Sequence, residues 1–158
     1  MDLLRISWDA TLDYCEQLAK KIEFRPDIII GITRGGLVPA RVLSDILDVR
    51  TVGILGIEFY KSMGKTAATP TIFQEIGIDL KGKKVLIVDD VADTGRSLMV
   101  AKDHIKSKGA KEIKVATIHY KPNSIFKPDY FVKTETAWIC YPWERHETER
   151  EIAKERKR

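Results

Sequence analysis

An α/β fold, a parallel sheet with helices on both faces, is predicted by three features of the 158-residue chain. Short apolar runs, Ile28 to Ile30 and Val85 to Val88, have the length and β-branched content of buried strands. Each leads into a glycine-bearing loop and then into a stretch with helical spacing of its apolar residues. The strand, loop, helix unit occurs twice in a chain sized for one domain, the pattern of parallel strands joined by helical crossovers.

Taken in order, Ser7 to Ile22 sets Trp8, Leu12, Cys15, Leu18, Ala19 and Ile22 at three- and four-residue spacings. With Ser7 as N-cap this predicts an amphipathic helix, and Pro26 ends the turn that follows. Asp27 to Gly31 is the first buried strand, and Leu37 to Leu47 is its helix, with Pro39 tolerated in the first turn. Another strand is expected over Arg50 to Phe59. Tyr60 to Gln74 is polar and without periodicity, which reads as a long mobile loop of the kind kept for function. Lys84 to Val88 is a strand running into Asp89, and Thr94 to Lys108 is a helix presenting Leu98, Ala101 and Ile105, closed by Gly109. Ile113 to His119 follows as a strand. Glu144 to Arg158 is charged almost throughout and is expected to be a solvated helix or frayed end.

Composition narrows the function classes. The net charge is +4 and the pI about 9.0. That balance permits attraction to phosphate on a small ligand or on a nucleic acid. Aromatic residues interleaved with Lys and Arg, as in RNA-stacking platforms, are not evident, so nucleic acid is not the expected partner. Met-Asp-Leu-Leu-Arg at the N-terminus lacks the basic and apolar regions of an export signal. No apolar run approaches the roughly 18 residues of a spanning helix, so a cytoplasmic protein with no membrane partner is expected. Cys15 and Cys140 are far apart with no CxxC or Cys/His cluster, which predicts two reduced thiols rather than a zinc site or a disulfide.

The chemistry-bearing residues follow the two predicted strands. Open α/β sheets bind ligands beyond the carboxyl ends of their strands, where glycine-rich loops open helices with free N–H groups. Gly31-Ile-Thr-Arg-Gly-Gly36 is one such loop, with Arg34 adding a charged fork and Gly35 allowing close approach. Ala92-Asp-Thr-Gly-Arg-Ser97 is the second, bringing Thr94, Gly95, Arg96 and Ser97 to a helix start. A ligand with phosphate at both ends fits the pair. Asp89 and Asp90 stand beside this anion site, where they can accept hydrogen bonds from ribose hydroxyls or hold Mg²⁺ through water. Two other motifs fail: Gly64-Lys65-Thr66 lacks the earlier glycine of a P-loop, and Asp93-Thr94-Gly95 precedes a helix rather than pairing as a protease dyad.

Val85-Leu-Ile-Val-Asp-Asp-Val-Ala-Asp-Thr-Gly-Arg-Ser97 resembles the motif that binds 5-phosphoribosyl-1-pyrophosphate (PRPP) in type I phosphoribosyltransferases: four apolar residues, two acids, then D-T-G-x-[ST]. The resemblance covers nearly the whole chain and is strongest to the small xanthine-guanine and hypoxanthine phosphoribosyltransferases of bacteria and archaea. It implies a single domain over 1–158, a base-binding hood over 119–143 and a charged tail over 144–158. Thr33-Arg34-Gly35-Gly36 resembles the family's pyrophosphate loop, where a non-proline cis peptide is expected before Arg34. By that likeness Asp89 and Asp90 contact the ribose hydroxyls, and Thr94 to Ser97 hold the 5′-phosphate. Asp93 faces purine N7 as general base. His119-Tyr-Lys-Pro122 resembles the strand end whose lysine meets the purine 6-oxo group, and Ala137 to Trp143 the segment whose first tryptophan stacks on the base. Lys121, Trp138 and Ile139 take those base-binding places.

An ammonium group only donates, so Lys121 suits a carbonyl and opposes the amino group of adenine, which argues for 6-oxopurines. The resemblance implies a Mg²⁺-dependent enzyme, at least dimeric, that joins purine N9 to ribose C1′ with loss of pyrophosphate. A PRPP-responsive nucleic-acid regulator, or an adenine or pyrimidine phosphoribosyltransferase, are the alternatives on the same fold. Three positions depart from the family pattern: Arg96 where Gly or Lys is commoner, Phe59-Tyr60 in place of Ser-Tyr, and Glu144 after Pro142-Trp143 in place of Asp.

Overall fold

The computed structural model describes residues 2–60 and 68–158. Its elements are β1 (Leu3–Arg5), α1 (Trp8–Lys21), β2 (Ile28–Thr33), α2 (Leu37–Ile46), β3 (Val52–Tyr60), β4 (Thr69–Gln74), β5 (Lys84–Ala92), α3 (Arg96–Ser107), β6 (Glu112–Tyr120), β7 (Tyr130–Thr134), β8 (Trp138–Cys140) and α4 (Arg145–Glu155). Six strands form one sheet in the order β4-β3-β2-β5-β6-β7, and β1 pairs with β8 in a separate two-stranded sheet. Every pairing in the large sheet is parallel except β3 with β4.

Both faces of the sheet are covered. Successive side chains of a strand point to opposite faces, and the apolar runs divide accordingly. Ile28, Ile30, Ile32, Val85 and Ile87 pack with Leu98, Ala101 and Ile105 of α3. Ile29, Leu86 and Val88 pack with Leu18, Ala19 and Ile22 and with Ala40 and Leu43 of α2. Each fully buried Leu or Ile contributes about 1.5–3 kcal/mol relative to leaving it in water, so these unbroken runs hold the sheet between its helix layers.

The chain order places the ligand crevice. From β2 the chain crosses through α2 to β3 on one side, whereas β5 returns to the other side of β2 and continues through α3 to β6. The junction between β2 and β5 is therefore a topological switch point, where connections leave in opposite directions and open a crevice. Pairing between these strands ends at Gly31 with Val88. Beyond it β2 continues to Thr33 and β5 to Ala92.

Several expectations shift. The helix after Ser7 forms, and the Ser7 hydroxyl accepts the Ala10 N–H at 3.0 Å. Its buried face contains Thr11, whose hydroxyl donates to the Ser7 carbonyl at 2.9 Å, while Trp8 and Leu12 are exposed. The loop expected over Tyr60 to Gln74 is in part strand: Thr69 to Gln74 pair antiparallel with β3. Residues 61–67 of that expected loop lie outside the described residues. The strand expected to stop before the acids runs through them to Ala92. The tail forms the expected largely solvated helix, as far as Glu155, with Thr148 buried on one side. Cys15 and Cys140 are both free and buried, and no helix among the described residues is long and apolar enough to cross a membrane.

Strand β6 carries His119 into the interior, fully buried. Burial pushes its imidazole down to about 4, against 6.5 when exposed. Between those values the unfolded chain binds a proton that the folded chain refuses, so this stabilisation is complete above pH 6.5 and is lost as pH falls toward 4. The wild type is expected to lose about 2 kcal/mol more than His119→Gln between pH 7.5 and 5, from the free energy of roughly 1.4 kcal/mol per pKa unit. Urea unfolding of both proteins at the two pH values measures the difference, and equal losses would remove His119 as the cause.

Candidate active site

Two adjoining cavities occupy the crevice. One, of about 350 Å³, is lined by Phe59, Asp89, Val91, Ala92, Asp93, Thr94, Gly95, Arg96, Ser97 and Leu98. The other, of about 480 Å³, is lined by residues including Thr33, Arg34, Gly35, Asp89, Asp90, Ser97, Trp143, Glu144 and Glu147. They share Phe59, Asp89 and Ser97. The two anion loops read from the sequence thus face one crevice, with the acidic pair between them.

The first turn follows β2 through a cis peptide between Thr33 and Arg34, as the resemblance anticipates. Gly36 donates its N–H to the Ile32 carbonyl at 2.8 Å, and α2 begins at Leu37. Gly35 lies directly against the Asp90 carboxylate: a Cβ added there would overlap it. The Arg34 guanidinium is exposed and grips both oxygens of Glu147 from α4, at 3.0 and 2.9 Å. An exposed pair of this kind contributes at most about 1 kcal/mol, so an incoming polyanion can displace it.

The second turn is built on Gly95, whose φ of +85° is the left-handed conformation that only glycine adopts readily. Space is also short, since a Cβ would come within 2.5 Å of the Ser124 hydroxyl and 2.6 Å of the Phe126 nitrogen. Behind it, Lys121 N–H bonds the Ala92 carbonyl at 3.0 Å and Ile125 N–H the Thr94 carbonyl at 2.9 Å. The Thr94 hydroxyl accepts from Arg96 N–H at 3.3 Å, and α3 starts at Arg96, its first residues Arg96, Ser97 and Leu98 lining the smaller cavity.

Two departures from the family pattern meet here. The Arg96 guanidinium lies 5.4 Å from the centre of the Phe59 ring and donates to the Ala68 carbonyl at 2.6 Å. Arg96 therefore ties the phosphate-type turn to the β3–β4 hairpin through its planar cation, a contact lysine or glycine could not make in the same way.

The acids are the electrostatic centre. Asp89 accepts the Asp90 N–H at 2.9 Å, and Asp90 accepts the Val91 N–H at 2.8 Å. Burial holds both carboxyls above the ordinary carboxylate range, and the neighbouring Asp90 charge raises Asp89 further. Glu144, in the same crevice, is pushed up to about 7, by burial first and then by the charges of Asp90, Glu147 and Glu151. Such crowding of acids is relieved by sugar hydroxyl donors or by a cation.

Of the base-binding candidates, Lys121 donates to the carbonyl of Ala137, the residue before Trp138. Trp138 is half-buried, and its backbone N–H bonds the Asp2 carbonyl at 3.0 Å. The Ile139 side chain is buried with Ile6, Cys15, Ile118 and Tyr141, and its strand pairs with β1. Glu147, Trp143 and Tyr141 were not singled out by sequence: α4 carries no motif, and only the folded chain returns Glu147 to Arg34 across 113 positions.

The family model described as "Phosphoribosyl transferase domain" matches residues 7–148. The chain belongs to this family. A solved structure of a purine phosphoribosyltransferase from Pyrococcus horikoshii Ot3 is 43% identical, with a TM-score of 0.83, covering 90% of this chain and 94% of that one. The xanthine-guanine phosphoribosyltransferase of Desulfotalea psychrophila is 32% identical over 88% of this chain and 84% of its own. Xanthine phosphoribosyltransferase 1 of Saccharomyces cerevisiae is 29% identical over 91% of this chain and 90% of its own.

Proposed function

We propose that this phosphoribosyltransferase transfers the 5-phosphoribosyl group of PRPP to N9 of a 6-oxopurine, giving the nucleoside 5′-monophosphate and pyrophosphate. The observation that carries the reading is the acidic pair Asp89 and Asp90 set between two amide-lined turns at one switch point. The relatives named for purine, xanthine and guanine substrates support it.

The N9–C1′ bond forms as the bond from C1′ to the pyrophosphate oxygen breaks, and the electron pair leaves with pyrophosphate. Thr94 to Ser97 and the start of α3 hold the 5′-phosphate, while Arg34 and the Thr33–Gly36 turn hold the leaving group. Asp89 and Asp90 accept hydrogen bonds from the ribose hydroxyls, and Asp93 handles the proton of the base at N7. Lys121 donates to the 6-oxo group and Trp138 stacks on the ring.

Mg²⁺ fits the residues present. The acidic pair has raised proton affinity, and among the described residues no group of three or more His, Cys, Asp or Glu side chains forms a metal cage. A cation that takes one or two carboxylates and fills its remaining positions with water and substrate phosphate suits such a site. Bound there, it would neutralise charge on the leaving pyrophosphate. The same reading expects a cytoplasmic homodimer.

Turnover with guanine, hypoxanthine, xanthine, adenine and uracil, each with PRPP and Mg²⁺, tests the reading. Product is expected from the 6-oxopurines, and none from any purine would sink it. Lys121→Ala is expected to raise KM for hypoxanthine and guanine about tenfold or more, the loss of one charged hydrogen bond, with little change in KM for PRPP. Wild-type constants for both bases would remove Lys121 from base recognition.

A further inference from the structure

We infer that Tyr141 is a positioning residue for PRPP, its buried hydroxyl fixing the backbone of Asp90 from the base-binding side of the molecule. The inference rests on the function proposed above. Strand β8, which leads into Tyr141, pairs with β1 and not with the large sheet. The segment from Trp138 to Trp143 is therefore joined to the acid-bearing strand by side chains, and Tyr141 supplies the polar link.

The protons in that link can be assigned. Tyr141 and His119 are 1% and 0% exposed. The Tyr141 hydroxyl lies 3.1 Å from the Asp90 carbonyl and 2.8 Å from His119 Nδ1. A carbonyl only accepts, so the phenol proton is spent on Asp90, and the phenol oxygen must accept from Nδ1–H. His119 is then the neutral Nδ1–H tautomer, and Nε2 is a bare acceptor, which agrees with its burial without a hydrogen-bond partner.

Position gives this chain its consequence. The register of β5 with β6 passes from Asp89 with Thr117 to Val91 with His119 without pairing Asp90. On the other edge, pairing with β2 has already ended at Val88. Asp90 thus has no register partner on either neighbouring strand at the point where the ligand is expected. Tyr141 bonds its carbonyl there, and the Tyr141 ring is stacked on Trp143 at 4.9 Å with planes 5° apart. Trp143 lines the same cavity as Asp90 and Arg34.

Tyr141→Phe removes one oxygen and keeps the stack. With the purine saturating, KM for PRPP is expected to rise about tenfold, the usual loss for an unmade buried hydrogen bond, and kcat to change less than about threefold. A hydroxyl that served stability alone would lower the melting temperature and leave KM for PRPP at its wild-type value, and that result overturns the inference. Should the variant fail to fold, wild-type protein labelled with ¹⁵N in histidine gives the second test. The His119 Nδ1 and Nε2 resonances are expected to show an unprotonated Nε2 and to move when PRPP and Mg²⁺ are added. A protonated Nε2, or no movement at saturation, overturns it. Wild-type turnover is measured first, so an active enzyme with a kinetically unchanged variant counts against Tyr141 alone and not against the transferase reading.

Discussion

Asp93→Asn is expected to lower kcat by about 10²- to 10⁴-fold, the usual range for losing a positioned general base or acid. The dissociation constant for PRPP should stay within about threefold, since the swap conserves shape and leaves the phosphate turn intact. Asp93 lines the smaller cavity with Thr94 to Ser97 and is exposed, unlike its neighbours Asp89 and Asp90. That difference underlies the role proposed for Asp93. Those two acids are held by backbone N–H groups of their own strand, whereas an exposed carboxylate just past the strand end can reach a separate molecule. An amide keeps the hydrogen-bonding outline and cannot take the proton. Steady-state kinetics with hypoxanthine, paired with calorimetry of PRPP and Mg²⁺, separates chemistry from binding. An unchanged kcat would remove Asp93 from proton transfer, and a large loss of PRPP affinity would make it a donor-binding residue instead.

What could be read from the sequence divides along physical lines. Ile28 to Ile30 and Val85 to Val88 declared their strands because burial on both faces leaves an unbroken apolar run. Ser7 and Gly109 marked helix ends through local chemistry that needs no tertiary partner. Both anion turns were visible for the same reason, being continuous stretches of chain. Thr69 to Gln74 was not, because an exposed edge strand gains its order from pairing with β3, and its short alternation through Pro70 and Ile72 is broken by the exposed Phe73. Strands β1, β7 and β8 are short and were likewise unmarked. The face of α1 was misread at Thr11, whose hydroxyl is satisfied by the Ser7 carbonyl and so can be buried where a polar residue looks wrong.

The same distinction runs through the site. Residues within one turn were legible, and those delivered from distant elements were not. Glu147 reaches Arg34 from α4, and Tyr141 reaches Asp90 across 51 positions. Arg96 and Phe59, which looked in the sequence like unrelated departures from the family pattern, touch each other. A cation stacked on a ring is a pairwise fact, and neither residue announces it alone.

Gly35→Ala tests whether the two halves of the crevice act on one ligand. The added methyl would overlap all three carboxylate atoms of Asp90. Relief by side-chain rotation is limited, because that carboxylate is short, buried and held by the Val91 N–H at 2.8 Å. Either the Thr33–Gly36 turn or the acid must shift by a large fraction of an ångström, and misplacement on that scale costs about 10²-fold in a reaction that depends on alignment. We therefore expect kcat/KM for PRPP to fall about 100-fold or more, with overpacking lowering stability by about 1–3 kcal/mol. Gly77→Ala is the control: a Cβ there meets nothing within 4 Å and the backbone has no positive φ, so both quantities should stay near wild type. On the function proposed above the loss at Gly35 is kinetic as well as structural, because that reading sets the glycine in the turn for pyrophosphate and the residue it presses upon at the ribose. A Gly35→Ala enzyme that is destabilised yet keeps wild-type kcat/KM would mean that the turn and Asp90 do not share a substrate, and the crevice would have to be reassigned as two separate sites.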